Sequence, residues 1–300
     1  MGYHLNVLRN AQRLGLTAAV SALAATGLTI STATPALAEF EIQESQVEKG
    51  EVEIEYRGAV HWGFPRAERE EAEEGEEGGA MEEEEEGEFL RQSHDIELQW
   101  SVTDRWMFST ALSADEPLDD DFDVSSVEVE LQYELIEREG NGLGLAFLGA
   151  YGFATRSGEA DEIEFGPIVE LASGKALLTT NTLFTSQVGD NRETDGLGFE
   201  YGWRAQYGFA KKWAVGVEMF GEIEDLSHAG SFNDQQHSIG PTLFFSPGGD
   251  DDNGNGNGNH NNNKLAGPAK AEFSMNVGVQ LGLTDLTSDT ALKFQGALEF

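Results

Sequence analysis

The sequence predicts an all-β protein, a closed antiparallel up-and-down transmembrane β-barrel of about 12 strands. Three observations predict it. Apolar and polar residues alternate in short runs along most of the chain, and the connections between these runs alternate between short and long. No stretch after residue 38 reaches the roughly 18 consecutive apolar residues that a membrane-spanning helix requires. A chain that crosses a membrane without such helices crosses it as strands.

Residues 1–38 have the composition of a cleavable signal peptide. Arg9 and Arg13 accompany an apolar run that begins at Leu14, and Ala36-Leu37-Ala38 is the small-x-small pattern that signal peptidase cleaves. The alternative is a transmembrane anchor, which the polar residues within the apolar run disfavour. We therefore expect export and a mature barrel of residues 39–300.

Charge and cysteine content exclude several classes of function. The chain has 18 basic and 55 acidic residues and a formal net charge of −37, so it should repel nucleic acid and anionic headgroups. The absence of cysteine excludes disulfides, thiolate metal sites and cysteine nucleophiles. Neither a nucleic-acid partner nor a cofactor is predicted.

Runs with a period of two are predicted as strands, because alternate side chains of a strand point to opposite faces. The clearest run extends from Ser126 to Leu135, where serine, glutamate or glutamine alternates with a large apolar residue. The predicted strands are 51–62, 95–102, 106–113, 126–135, 143–153, 162–171, 177–186, 197–207, 213–222, 237–245, 273–281 and 292–300. An even number returns both ends to the periplasmic side, with short turns there and longer loops outside.

The apolar faces are expected to contact lipid and the polar faces to line the lumen. The alternative is a soluble β-sandwich or lipocalin-like barrel, in which the apolar set points inward. Large aromatics on the apolar faces, with glycine, alanine and charged residues opposite, favour the membrane barrel. The residues expected to face lipid include Ile96, Leu98, Trp100, Val127, Val129, Leu131 and Tyr133.

Four short stretches carry a resemblance to known outer-membrane proteins. Residues 291–300 end in Phe300 with apolar residues at every second position before it, and this resembles the C-terminal strand that barrel assembly machinery recognises. Residues 277–289, with Thr180-Asn181 and Gly240-Pro241, resemble an outer-membrane transporter or porin family associated with aromatic (phenol meta-pathway) degradation. The resemblance implies a Gram-negative outer-membrane location, with outer-membrane lipid and the assembly machinery as partners.

Two insertions of biased composition interrupt the strand pattern. Residues 63–90 include the glutamate-rich run 68–88 and are expected to form a disordered extracellular loop, either simply solvated or able to hold divalent cations weakly. Residues 247–270 contain repeated Asn-Gly and are expected to form a flexible linker loop. Strand parity places this linker on the periplasmic side, where long loops are unusual.

No catalytic constellation is predicted, and the chain is not expected to be an enzyme. In Ser93-His94 and His237-Ser238 the neighbours point to opposite strand faces and cannot form the serine–histidine hydrogen bond of an activated nucleophile. The histidines near the extracellular rim are candidate ligands for a transition metal, with chance clustering as the simpler explanation. They are His61, His94, His228 and His237.

The predicted lumen is strongly acidic. Its candidate selectivity residues are Glu53, Glu55, Arg57, Asp95, Glu97, Glu128, Glu130, Glu134, Glu164, Glu170, Glu200, Arg204 and Glu218. Such a wall concentrates cations and excludes anions, unless the acids are paired or protonated as structural plugs of a narrow lumen. The sequence favours a passive or weakly selective channel for small cationic or neutral solutes. The alternative is a closed structural or binding barrel whose acidic extracellular loops hold cations or a partner.

Overall fold

The structure is a computed structural model that describes residues 40–63, 90–117, 121–192, 194–247 and 271–300. Every predicted run is confirmed as a strand within these ranges. The strands are β1 (Val52–Trp62), β2 (Leu90–Ser101), β3 (Trp106–Pro117), β4 (Asp123–Ile136), β5 (Gly142–Ala154), β6 (Asp161–Ser173), β7 (Ala176–Val188), β8 (Phe199–Ala210), β9 (Trp213–Ile223), β10 (Gln236–Phe245), β11 (Glu272–Gly282) and β12 (Thr290–Glu299). The expected signal peptide, most of the acidic loop and most of the linker lie outside the described residues.

The strands form a closed antiparallel barrel. Each strand pairs with its neighbours in sequence, and β1 also pairs with β12, so that Tyr56 lies opposite Gly296 on one side and Ile96 on the other. Closure satisfies the backbone groups that an edge strand would leave unpaired. The predicted up-and-down topology is confirmed.

The barrel is apolar outside and polar inside. Ile96, Trp100 and Leu131 are 55, 51 and 48% exposed, whereas Glu97 and Glu130, which alternate with them on the same strands, are 1 and 4% exposed. This is the reverse of a soluble barrel, whose apolar side chains fill the interior. The protein is a transmembrane β-barrel, and the soluble alternative is excluded.

Aromatic pairs lie near both rims of the outer surface. Trp106 and Tyr133 pack with ring centroids 4.6 Å apart close to the end where β1 begins and β12 finishes, which we call the terminus end. Tyr151 and Phe153 pack at the same separation toward the opposite end, which we call the loop end. Aromatic girdles of this kind mark the two interfaces of a membrane barrel.

Connections at the terminus end are short, with one exception. Residues 102–105, 137–141, 174–175 and 211–212 join their strands there, whereas 246–271 join β10 to β11 at the same end. Because β10 and β11 are neighbours in the barrel, the predicted strand count is correct. Phe245 and Glu272, the strand ends that flank the linker, both lie at this end, as strand parity predicted. No helix within the described ranges has the length and apolarity of a membrane span.

Two Gly-Pro pairs each interrupt the pairing of their strand with one of its two neighbouring strands. The register between β6 and β7 skips Gly166-Pro167, and that between β10 and β11 skips Gly240-Pro241. Proline has no N–H to donate, so the ladder lacks a bond there. A Cβ atom added at Gly240 would lie 1.7 Å from the carbonyl oxygen of Val279, so the two backbones approach more closely than any side chain permits.

We expect Gly240→Ala to destabilise the barrel by about 1–3 kcal/mol, because a backbone carbonyl must move to admit the methyl group. Urea unfolding in vesicles would measure the change. Gly149→Ala is the matched control, since a Cβ atom there meets nothing within 4 Å. Equal stability of the two variants would show that the close approach at Gly240 has no energetic weight.

Candidate functional site

Residues 40–47 lie inside the barrel, and we call them the lumen segment. Phe40 packs against His61 and Phe220 in the loop half, with ring centroids 5.8 and 5.2 Å away. From there the segment runs to the terminus end, where β1 begins. No structure was predicted for these residues from the sequence, so this occupant of the lumen was missed.

Polar side chains of β6 and β7 hold the lumen segment in place. The Gln43 backbone N–H donates to Asn181 Oδ1 at 2.7 Å, and Asn181 Nδ2 donates to the Gln43 carbonyl at 2.9 Å. Ser45 Oγ donates to Glu170 Oε2 at 2.6 Å, and both residues are fully buried. These contacts satisfy backbone and hydroxyl groups that would otherwise be buried without partners.

Small residues on the inner wall make room for the segment. A Cβ atom at Gly144 would lie 2.3 Å from Ser45 Oγ, and one at Gly202 would lie 3.1 Å from the Glu41 carbonyl oxygen. Glycine was predicted to lie on the faces opposite the large aromatics, and the inward position of Gly144 agrees with this. At Gly144 the small size makes space for the chain itself.

The Glu41 side chain crosses the lumen. Its backbone carbonyl lies against β8 at Gly202, while its carboxylate Oε2 is 2.7 Å from Arg57 Nη2 on β1. Arg57 Nη1 also contacts Glu55 Oε1 at 2.7 Å and Glu97 Oε2 at 2.9 Å. Since β1 and β8 are well separated around the ring, this contact, the Glu41–Arg57 bridge, constricts the passage.

Every predicted selectivity residue lies on the inner face, and several are neutralised by a basic partner. Lys293 Nζ is 2.5 Å from Glu218 Oε2. Arg204 Nη2 is 2.9 Å from the Glu44 carboxylate, which belongs to the lumen segment. Pairing of this kind is the structural role that the sequence analysis weighed against selectivity.

A second set of acids has no basic partner. Within the described part of the chain, none of Glu128, Glu130, Glu164 and Glu200 forms an ion pair with lysine or arginine. Both carboxylate oxygens of Glu130 and one of Glu128 are buried without a hydrogen bond from the described residues. The lumen therefore combines paired acids with an uncompensated acidic patch, which extends from mid-depth toward the loop end.

A small apolar cluster on the inner wall was also missed. Ala146, Leu148 and Ile168 are buried together, and Leu183 packs against them. The inner face of β5 is therefore not lined by glycine and alanine alone. Leu148 has the same parity as Ala146, so the two-residue repeat places it on the inner face. Its packing against Ile168 and Leu183 of other strands does not follow from that repeat.

A cavity of about 390 Å³ remains between the lumen segment and the facing wall. Glu51, Glu53 and Glu299 line it toward the terminus end, with carboxylate oxygens within 4.8 Å of one another. Burial, reinforced by the like charges of Glu299 and Glu48, raises the pKa of Glu51 to about 7. This part of the lumen can therefore change charge near neutral pH.

The predicted metal-ligand histidines lie on both sides of the wall. His61 faces the lumen and contacts Ser288 Oγ at 2.9 Å, whereas His94 and His237 face outward and stack on aromatic rings. His228 lies in the β9–β10 connection. The candidate metal-ligand groups found among the described residues contain only glutamate, so the histidine site stays a prediction without a common face to support it.

The predicted serine–histidine geometry is confirmed. Ser93 faces the lumen and His94 the outer surface, and Ser238 and His237 are divided in the same way. Neither pair can therefore form the hydrogen bond within its own strand that an activated serine requires.

No family model and no curated protein matches the chain. Solved structures of similar fold include a KdgM porin, at 7% identity over 83% of this chain and 98% of that chain with a TM-score of 0.43. LpxR from Salmonella typhimurium is 10% identical over 83% of this chain and 99% of that chain, with a TM-score of 0.36. OprD from Pseudomonas aeruginosa is 11% identical over 71% of this chain and 61% of that chain, with a TM-score of 0.35. Likenesses this remote do not define a function. The class rests on the chain's own architecture, a transmembrane β-barrel with an acidic lumen partly filled by its own residues.

Proposed function

We propose that the protein is an outer-membrane channel of a Gram-negative bacterium, passive or weakly selective, for small cationic or neutral solutes. The uncompensated acidic patch of Glu128, Glu130, Glu164 and Glu200 is the observation that carries this proposal. A wall of one sign concentrates counter-ions and excludes co-ions, and a low-dielectric surround strengthens the effect. The lumen segment narrows the passage, so the solutes should be small.

Ionised carboxylates of the patch should set an ion preference. A monovalent cation about 4 Å from one carboxylate gains roughly 1 kcal/mol at water-like dielectric and about 4 kcal/mol at an effective dielectric of 20. An anion at the same place loses as much. Several carboxylates acting together should therefore favour cations over anions by more than tenfold in local concentration, since about 1.4 kcal/mol corresponds to tenfold.

Replacing Glu128, Glu130 and Glu164 with glutamine should lower cation-over-anion permeability, most clearly at low ionic strength, where screening is weakest. Reversal potentials in a salt gradient across a planar bilayer measure this. The control, Asp104→Asn with Glu137→Gln and Glu139→Gln, removes the same charge from exposed positions between strands at the terminus end. Identical reversal potentials for parent and lumen variant would remove the patch as the selectivity surface.

The pKa of Glu51 predicts a pH dependence. Since the pKa of the Glu51 carboxyl is raised to about 7, this group is mainly neutral at about pH 6 and mainly charged at about pH 8. Cation preference should therefore increase across this interval, and Glu51→Gln should reduce the increase. Reversal potentials at the two pH values compare parent and variant, and an equal increase in both would show that Glu51 does not contribute.

The Glu41–Arg57 bridge favours a second candidate, the closed binding barrel. A contact across the lumen at 2.7 Å leaves less space than an open pore requires. Absence of single-channel conductance in the purified protein would favour this candidate over the channel. Kinship with the aromatic-degradation family and recognition of Phe300 by assembly machinery are carried by sequence resemblance, and both stay predictions.

A further inference from the structure

We propose that Glu41 of the lumen segment, with Glu97 and Glu130 of the wall, forms a binding site for a divalent cation, Ca²⁺ by the chemistry of its ligands. The inference rests on the proposed function in that the site would lie in the proposed passage. Binding itself can be measured without any transport.

The three carboxylates are close enough together to ligate one cation. One oxygen from each of the three side chains lies within 4.8 Å of the other two. Calcium accepts several carboxylates in a flexible geometry, whereas magnesium demands a near-ideal octahedral set and usually keeps several waters. A cluster of buried carboxylates therefore favours calcium.

The two wall carboxylates of the site are buried and keep oxygens without a hydrogen-bond donor from the described residues. Both oxygens of Glu41 already have one partner each, Gln43 Nε2 for Oε1 and Arg57 Nη2 for Oε2. Glu130 is 4% exposed and Glu97 is 1% exposed. Among the described residues, no donor forms a hydrogen bond to either oxygen of Glu130 or to Oε1 of Glu97. Oε2 of Glu128, on the same face of β4, also lacks a donor. Buried carboxylate oxygens without donors are costly, and a cation would satisfy several of them at once.

Arg57 does not supply a partner for these unpaired carboxylate oxygens. Its guanidinium contacts Oε2 of Glu41 and Oε2 of Glu97, and its remaining contact goes to Glu55. The free Oε1 of Glu97 and both oxygens of Glu130 are left over. One positive charge thus faces four carboxylates, Glu41, Glu55, Glu97 and Glu130, and a divalent ion would offset most of the difference.

A cation at this site would link the lumen segment to the wall. Glu41 belongs to the segment, whereas Glu97 and Glu130 belong to β2 and β4. Each carboxylate that ligates the ion adds a contact between segment and wall, so occupancy favours the seated segment by mass action. The cation content of the medium would then regulate the width of the passage.

Isothermal titration of Ca²⁺ into the purified full-length protein in detergent, after chelator treatment, tests the site. We expect one saturable phase whose affinity falls about tenfold or more in Glu97→Gln/Glu130→Gln, because affinity depends on the number of charged ligands. Glu162→Gln/Glu200→Gln removes two lumen acids outside the cluster and should retain the parent affinity for Ca²⁺. Any weak binding by the predicted acidic loop is common to both variants and cancels in the comparison. Equal affinities in the two double variants would overturn the site.

Cysteine labelling tests the link to the segment, since the chain contains no cysteine of its own. Ca²⁺ should slow maleimide labelling of Ile42→Cys severalfold, and should not do so in the Glu97→Gln/Glu130→Gln background. Ser227→Cys, in the β9–β10 connection, should be unaffected. Binding without slower labelling would overturn the link. Binding in a protein without conductance would overturn the channel and leave the site, whereas conductance without binding would do the reverse.

Discussion

Deleting residues 40–47 should raise single-channel conductance about twofold or more, because an extended chain with its side chains fills roughly 5 by 10 Å of cross-section. The deletion also removes Glu41 and with it the Glu41–Arg57 bridge. Planar-bilayer recordings of parent and variant measure the change. Deleting 71–78, the same number of residues from the predicted acidic loop, is the control. Unchanged conductance after removal of the segment would show that it does not limit the passage.

The barrel should survive this deletion. Closure depends on the strand pairings, which do not involve the segment. Asn181, Glu170 and Arg204 would lose their contacts to the segment, but they face a lumen that water can enter, and ordered water replaces direct hydrogen bonds at small cost. A rise in conductance would therefore report an emptied lumen rather than an unfolded wall.

Leu98→Arg should destabilise the protein in lipid by about 2–4 kcal/mol, the cost of a basic side chain at the middle of the lipid-facing surface. Leu98 is 45% exposed on the outer face of β2, opposite Ile54 and Thr110 of the adjoining strands. Unfolding in vesicles by urea measures the loss.

Gln99→Arg is the matched control, one residue along the same strand. Gln99 lines the lumen cavity and lies opposite Glu53, so a basic side chain there gains a partner and should be nearly neutral. A larger loss for Gln99→Arg than for Leu98→Arg would contradict the assignment of inner and outer faces.

The wall could be predicted from the sequence because its residues obey a local rule. In β4, Val127 and Leu131 face outward while Glu128 and Glu130 face inward, and this follows from the two-residue repeat alone. Strand order followed from the same pattern, because short connections make sequence neighbours pair. The composition of each face then decided between a soluble and a membrane barrel.

The contents of the lumen could not be predicted in this way. The lumen segment is held by pairs such as Gln43 with Asn181 and Glu44 with Arg204, which are 138 and 160 residues apart. Alternation within one strand carries no information about such contacts. Ile42 and Val47 among polar neighbours were the available signal, but the same composition fits an exposed tail. The ion pairs of the lumen could not be predicted either, because the sequence offers many glutamates as partners for Arg57 and Lys293.

A closed wall of strands has a single seam, where β1 meets β12. The lumen segment lies just before β1 in the chain, so its entry and the closing of that seam are parts of one assembly problem. While the seam is open, the segment can be laid sideways onto the inner surface of β6 to β8. Once the seam has closed, it can enter only by threading lengthwise past the Arg57 side chain. Sideways docking avoids that barrier. We therefore expect the segment to dock on the inner wall first and the pairing of β1 with β12 to form last.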